Sequence, residues 1–247
     1  MISVGKTDRG KVRDINEDSI YLNDFGVGML PNLYIVSDGM GGHKAGEIAS
    51  SLAIDSFVNY VTENNFESEN FILDFLVNAL HFANSCVYQK SKTDSDCYGM
   101  GATFSACTFI NQKAYCVHVG DSRIYLINNS SIKQLSVDHT YVNEMVRTGK
   151  LTLLQAKNHP QKNVITRAVG IDKNLEVDAF VCNYDFADRF LICSDGLSSS
   201  LNDNEIFSIT NNSQFDSAAS NFINAANEKG GLDNISVILI CEVHHEN

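Results

Sequence analysis

Basic residues are scarce in this chain: 18 lysines and arginines stand against 30 aspartates and glutamates, a formal net charge of −12. A nucleic-acid binder needs a basic face for its phosphate contacts, so that class is excluded. Proline is nearly absent, with two in 247 residues. No Pro/Ser linker, low-complexity run or internal repeat divides the chain, and residues 1–247 read as a single domain with a sizeable core. The N-terminus Met1-Ile-Ser-Val-Gly-Lys-Thr-Asp8 has no signal-type apolar segment, and no stretch reads as long and apolar enough to span a membrane. The seven cysteines are odd in number, form no C-x-x-C pair and lie mostly in strand-like apolar runs. That excludes a disulfide frame and a zinc site, and points to small buried hydrophobes in a reducing compartment. A cytoplasmic location and no membrane partner are the resulting expectations.

Periodicity organises the rest. Short strands are predicted over Ile2–Thr7, Ser19–Leu22 and Leu33–Ser37. From Ala45 the period changes: Ala45, Ile48, Ala49, Leu52, Ala53, Phe57, Tyr60 and Val61 share one face of a helix, and Ile72, Phe75, Leu76, Ala79, Leu80, Ala83 and Val87 mark a second. Strands follow at Thr103–Ile110, Lys113–Val119, Arg123–Ile127 and Ser131–Leu135, joined by short polar links that make them antiparallel hairpins. A polar stretch, roughly Asp138–Gln161, has weak helical periodicity and reads as a flap. Strands return at Glu176–Cys182, Arg189–Cys193 and Ile235–Val243, with helices over Asp203–Ile209 and Phe215–Asn227. Antiparallel blocks separated by helix pairs define an α+β class with helices packed on sheets.

What is abundant is aspartate at strand ends. Asp38 lies in Tyr34-Ile-Val-Ser-Asp-Gly39, Asp195 in Phe190-Leu-Ile-Cys-Ser-Asp-Gly196, Asp233 in Gly230-Gly-Leu-Asp-Asn234, and Asp121 in Val119-Gly-Asp-Ser-Arg123. One Asp-Gly is an ordinary turn. Four, each after an apolar strand, would converge at one edge of a sheet and repel one another unless cations lie between them. Hard oxygen ligands of this kind suit Mg²⁺ or Mn²⁺. Two such ions can share a water, lower its pKa and hydrolyse a phosphate ester. Gly39 leaves its own carbonyl free to approach an ion beside Asp38.

A second cluster, Arg13-Asp-Ile-Asn-Glu-Asp18, offers a guanidinium fork that fits phosphate oxygens, with Glu17 and Asp18 placed to hold metal-bound waters. Its alternative is a polar loop with a surface salt bridge. His43, after Gly41-Gly42, could donate a proton to a leaving alkoxide or simply face water. His118 alternates with valines and reads as structural; His139 and His159 carry no clear signal. A cysteine-phosphatase loop is absent, because Cys116 and Arg123 enclose six residues instead of five. Asp94-Ser-Asp96 follows a polar run, unlike an aspartyl-phosphate motif, and Gly99-Met-Gly101 lacks the third glycine of a dinucleotide fingerprint.

Taken in order, Arg13-x-x-Asn-Glu-Asp18, Asp38-Gly-Met-Gly-Gly-His-x-x-Gly-Glu47, Gly101-Ala-Thr103, Val119-Gly-Asp-Ser-Arg123, Asp138-His139, Asn163-x-Ile-Thr-Arg-Ala-x-Gly170, Ser194-Asp-Gly-Leu197 and Asp233-Asn234 span nearly the whole chain. This series resembles the motifs of the metal-dependent type 2C (PPM) Ser/Thr protein phosphatases, in their bacterial branch. The resemblance implies a four-layer αββα sandwich, two antiparallel sheets flanked by helix pairs. It implies that Asp38, Asp195 and Asp233 ligate one Mn²⁺ or Mg²⁺. Asp38 and the Gly39 carbonyl would hold a second, with Glu17 or Asp18 assisting through water. Asp121 with Asp195 would form a weaker third site, and Arg13 would bind the substrate phosphate. It further implies hydrolysis of phosphoserine and phosphothreonine by a metal-bridging hydroxide with no phosphoenzyme, phosphoprotein substrates, a Ser/Thr kinase and its targets as partners, and a monomer. The chain departs from animal-type members at Met40, where they carry a proposed acid histidine, which leaves His43 as the nearest side-chain acid. A non-catalytic phosphoprotein-binding relative would be expected to lack a metal aspartate or the arginine; none is missing. A small-molecule phosphatase would share the same core motifs.

Overall fold

The computed structural model describes residues 1–42 and 45–242. Two antiparallel sheets stack face to face. The first runs β1 (Ile2–Asp8), β11 (Ile235–Cys241), β10 (Arg189–Cys193), β7 (Arg123–Ile127) and β8 (Ile132–Gln134) in spatial order. The second runs β2 (Asp18–Asn23), β3 (Leu33–Met40), β5 (Phe104–Ile110), β6 (Lys113–Val119) and β9 (Asp178–Asn183), with the two-residue β4 (Gly101–Ala102) paired to β3. Helices α1 (Ala45–Glu63) and α2 (Ile72–Thr93) cover the second sheet; α6 (Asp203–Asn212) and α7 (Phe215–Glu228) cover the first. This is the expected four-layer arrangement.

Layering explains why the central strands read as unbroken apolar runs. A strand buried on both faces has no polar side to alternate with. In β3, Leu33 and Ile35 join the core beneath α1 and α2, while Tyr34 and Val36 face the other sheet. In β11, Val237 and Leu239 pack toward α7, and Ile238 and Ile240 fill the space between the sheets. The inter-sheet layer is closed by Phe109, which meets Phe190 edge-on at 4.7 Å and Tyr34 at 5.7 Å. Cys107 and Cys116, opposite each other on β5 and β6, lie in the same layer with sulfurs 3.2 Å apart. All seven cysteines are free thiols.

Several boundaries differ from the sequence reading. The strand carrying Asp38 does not break at Ser37. It continues to Met40, because β4 pairs Gly39 with Ala102 and Met40 with Gly101. Asp38 is therefore an in-strand residue and not a turn residue. Asp195 opens a one-turn helix, α5 (Asp195–Ser198), where an open turn was expected. The strand expected over Ile235–Val243 is described as far as Cys241. The flap holds two short helices, α3 (Tyr141–Arg147) and α4 (Leu153–Lys157), and its neck closes later than Gln161, at a bridge between Thr140 and Ile165. The segment Glu69–Thr93 is long and apolar enough by composition to cross a membrane, contrary to the expectation that no stretch is. Its apolar face, including Phe75, Leu76, Leu80 and Val87, is packed in the core against α1 and the sheet, as a core helix requires.

Candidate metal and phosphate site

The carboxylates come from both sheets and meet at one end of the sandwich. Asp18 begins β2 and is the direct cross-strand partner of Asp38 on β3. Two like charges so placed repel. From the other sheet, Asp195 follows β10 and Asp233 precedes β11. Asp121 lies in the three-residue turn by which the chain crosses from β6 in one sheet to β7 in the other. Glycine permits the close approach at two of these points. A Cβ on Gly39 would overlap the Gly46 carbonyl oxygen at the start of α1, and one on Gly196 would overlap the Asn234 carbonyl oxygen.

Burial and mutual repulsion hold these groups far from the behaviour of free carboxylates. Burial, then the charges of Asp18, Asp195, Asp121 and Asp233, raises the pKa of Asp38 well above the ordinary value. Burial raises Asp18 to about 7 against the hydrogen bond it accepts from Ser194 Oγ at 2.7 Å. Burial, with Asp195 nearby, raises Asp121 to about 7. Burial and Asp233 raise Asp195 to about 6, although Asp38 lies within hydrogen-bonding reach. Burial likewise raises Glu17. Among the described residues, one buried oxygen each on Glu17, Asp18 and Asp121 has no hydrogen-bond partner. Among the described residues no three of these side chains form a closed ligand set. They form a looser ring of hard, electron-rich oxygens with unmet bonding capacity, and this donor chemistry fits a divalent cation.

Arg13 is half-exposed and its Nη2 donates to Asp233 Oδ2 at 2.8 Å. The salt-bridge alternative for this residue is thus realised, with Asp233 as the partner, and the guanidinium stands beside the carboxylates. The loop that carries it is anchored by Asn234. Asn234 Oδ1 accepts the Glu17 amide at 2.8 Å, and its Nδ2 donates to the Arg9 and Ile15 carbonyls at 2.9 Å each. Met40 lies at the end of β3. His43 lies outside the described residues, so its role as proton donor has no geometry behind it.

Three supporting residues escaped the chemical reading of the sequence. Thr103 brackets Asp38: its Oγ1 accepts the Asp38 amide at 2.9 Å, and its own amide donates to the Asp38 carbonyl at 2.8 Å. Arg123 is not free for substrate, because Asp138 takes its Nε and Nη2, the latter at 2.7 Å. His139 is buried against the Asp121 turn, accepting the Gly120 amide at 3.1 Å. The short motifs Gly101-Ala-Thr103, Gly120-Asp-Ser-Arg123 and Asp138-His139 contain them, but none of these names a partner. From Asp121 and Asp195 a groove of about 870 Å³ runs between the flap, at Thr140, Leu153 and Lys157, and the segment after α5.

A fold and a carboxylate ring of this kind have counterparts. The sequence matches the Protein phosphatase 2C family over residues 11–239. The chain therefore belongs to that family of metal-dependent protein phosphatases. It is 36% identical over 242 residues to the serine/threonine phosphatase stp of Listeria monocytogenes, covering 95% of this chain and 93% of that one. Its structure matches the serine/threonine phosphatase Stp1 of Staphylococcus aureus with a TM-score of 0.90 and 32% identity, over 98% of this chain and 95% of that one. It matches the catalytic domain of the phosphatase PstP, solved in complex with two manganese ions, with a TM-score of 0.82 and 32% identity, over 96% of each chain.

Proposed function

We propose that this protein hydrolyses phosphoserine and phosphothreonine esters on proteins, using Mn²⁺ or Mg²⁺. The observation that carries the reading is the ring of Asp18, Asp38, Asp121 and Asp195, drawn from both sheets, with raised pKa values and, among the described residues, unpartnered oxygens on Asp18 and Asp121. Asp38, Asp195 and Asp233 would hold one ion. Asp38 and the Gly39 carbonyl would hold another, with Glu17 and Asp18 acting through water, and Asp121 with Asp195 a third, weaker one. Bound there, the ions supply a water of lowered pKa and neutralise phosphate oxygens.

The chain's own groups do the rest. Arg13 engages Asp233 through Nη2 only, so the remaining guanidinium N–H groups can bind phosphate and fix its orientation. Thr103 and the β3–β4 pairing hold the Asp38 backbone rigid, which keeps its carboxylate aimed. The leaving oxygen needs a proton that Met40 cannot provide. The assignment of His43 to that role rests on the sequence alone. The groove beside the flap, about 870 Å³, leaves room for a phosphopeptide. A partner Ser/Thr kinase, a monomeric state and a cytoplasmic location complete the proposal. The location is supported by seven free thiols, two of them in contact.

The test is phosphate release from a phosphothreonine peptide, with Mn²⁺, with EDTA, and by the Asp195→Asn variant. Turnover that needs the metal and disappears in the variant supports the reading. A folded protein that binds phosphopeptide but turns over none in any divalent metal would overturn it in favour of a binding module.

A further inference from the structure

His139 occupies the neck of the flap, where it links the flap's returning end to the turn that carries Asp121. Its backbone amide donates to the Gly120 carbonyl at 2.7 Å, and its own carbonyl accepts the Thr166 amide at 2.8 Å from the returning end. Its side chain accepts the Gly120 amide through Nδ1 at 3.1 Å. Gly120 is thereby held on both its amide and its carbonyl by one residue. An imidazole nitrogen that accepts from a backbone N–H carries no proton, so the proton resides on Nε2. That nitrogen faces Asp178 Oδ2 on β9 at 3.1 Å and donates to it. Arg167, from the flap's returning end, holds the other oxygen of Asp178 at 3.1 Å. On its other side the ring lies against His118, with centroids 5.0 Å apart, and His118 is pinned by Ser105 and the Val137 carbonyl. The ring cannot turn without breaking several of these contacts.

Gly120 has little freedom of its own. Its φ is +107°, and a Cβ there would sit 2.6 Å from Thr103, the residue that brackets Asp38. The next residue is Asp121. We propose that His139 is a positioning residue for Asp121, acting through the Gly120 amide and fixing the flap's neck to the carboxylate-bearing turn. The ring orientation, set by Asp178, decides whether the acceptor points at Gly120. The proposal rests on the reading of Asp121 as a carboxylate that binds a metal ion used in the reaction.

The test compares His139→Asn, His139→Gln and Asp121→Asn with wild type. Asparagine can place an acceptor where Nδ1 stands; glutamine places its polar atoms at the Nε2 position. Two quantities are measured: kcat and KM on a phosphothreonine peptide, and Mn²⁺ binding without substrate, followed by the paramagnetic resonance signal of the free ion. In His139→Gln the weakest Mn²⁺ step should weaken about tenfold, kcat should fall about tenfold at limiting Mn²⁺, and KM should stay within about twofold, the range expected for an outer-layer partner of a metal ligand. His139→Asn should recover both to within about threefold of wild type. Equal behaviour of the two variants, or a His139→Gln that matches wild type while Asp121→Asn is impaired, overturns the positioning role alone. A silent Asp121→Asn overturns the reading of Asp121, and this proposal with it. If His139→Gln does not fold, Asp178→Ala releases the ring from a partly exposed position. Weaker Mn²⁺ binding in that variant supports the proposal, and unchanged binding overturns it.

Discussion

Replacing Asp195 with asparagine should make the metal-free protein more stable while destroying its chemistry. The side chain keeps its size and its place at the start of α5. What it loses is a charge that folding has buried and set against Asp233. Its pKa is raised from 3.8 to about 6, and a tenfold change in proton affinity corresponds to about 1.4 kcal/mol. Taken alone, ionised Asp195 would therefore cost the fold about 3 kcal/mol at pH 7.5. Its neighbours take up part of that repulsion, leaving about 1–3 kcal/mol, or roughly 3–10 °C in Tm for a chain of this size. The sign follows from proton binding. The folded chain holds this proton more tightly than the unfolded one, so the penalty is complete above the folded pKa. It fades as pH falls through about 6 toward 3.8 and is gone below that. His118, pushed down to about 4 by burial, works in the opposite direction below its ordinary value of 6.5. The useful quantity is thus the difference between variant and wild type, in which the His118 contribution cancels. Thermal unfolding in EDTA should show the variant ahead at pH 7.5 and its advantage shrinking by pH 5.5. Added Mn²⁺ should raise the wild-type Tm by mass action and the variant's much less. Turnover should fall at least about a hundredfold. A variant less stable than wild type in EDTA at pH 7.5, or one with an advantage that grows as pH falls, would refute the electrostatic account.

Arg13→Ala should lower kcat/KM by about 10–100-fold through weaker phosphate binding, with stability changed by less than about 1 kcal/mol because the pair with Asp233 is half-exposed; steady-state kinetics and urea unfolding check both. Asn234→Ala removes three hydrogen bonds to the loop of residues 9–17 and should cost about 2–4 kcal/mol in urea unfolding, together with a raised Mn²⁺ requirement. Thr103→Val keeps the shape but leaves the Asp38 amide without its side-chain acceptor. It should cost about 1–3 kcal/mol and lower kcat more than it raises KM.

Local pattern carried a large share of this protein. The apolar runs in β3, β10 and β11, the 3.6-residue spacing in α1, α2 and α7, and the short polar links of the hairpins each depend on neighbours in sequence, so they could be read before any contact was known. The aspartates were legible for the same reason: one Asp after an apolar run is an ordinary turn, but four of them in one chain are hard to account for as turns alone. Tertiary structure decided what those residues meet. That Asp38 lies inside β3 depends on β4, a two-residue strand too short to leave a periodic signal. That Arg13 pairs with Asp233 depends on a contact across 220 positions. That Asn234 holds the loop of Arg13 and Glu17, and that His139 reaches back to Gly120, depends on partners that the motifs Asp233-Asn234 and Asp138-His139 do not name. The raised pKa values are collective, since each needs the other carboxylates and the buried volume around them. Sequence determined which residues could do the chemistry, because residue type and local period are properties of the chain. Only the folded sandwich decided which of them share one site, because proximity across two sheets is a property of the packing.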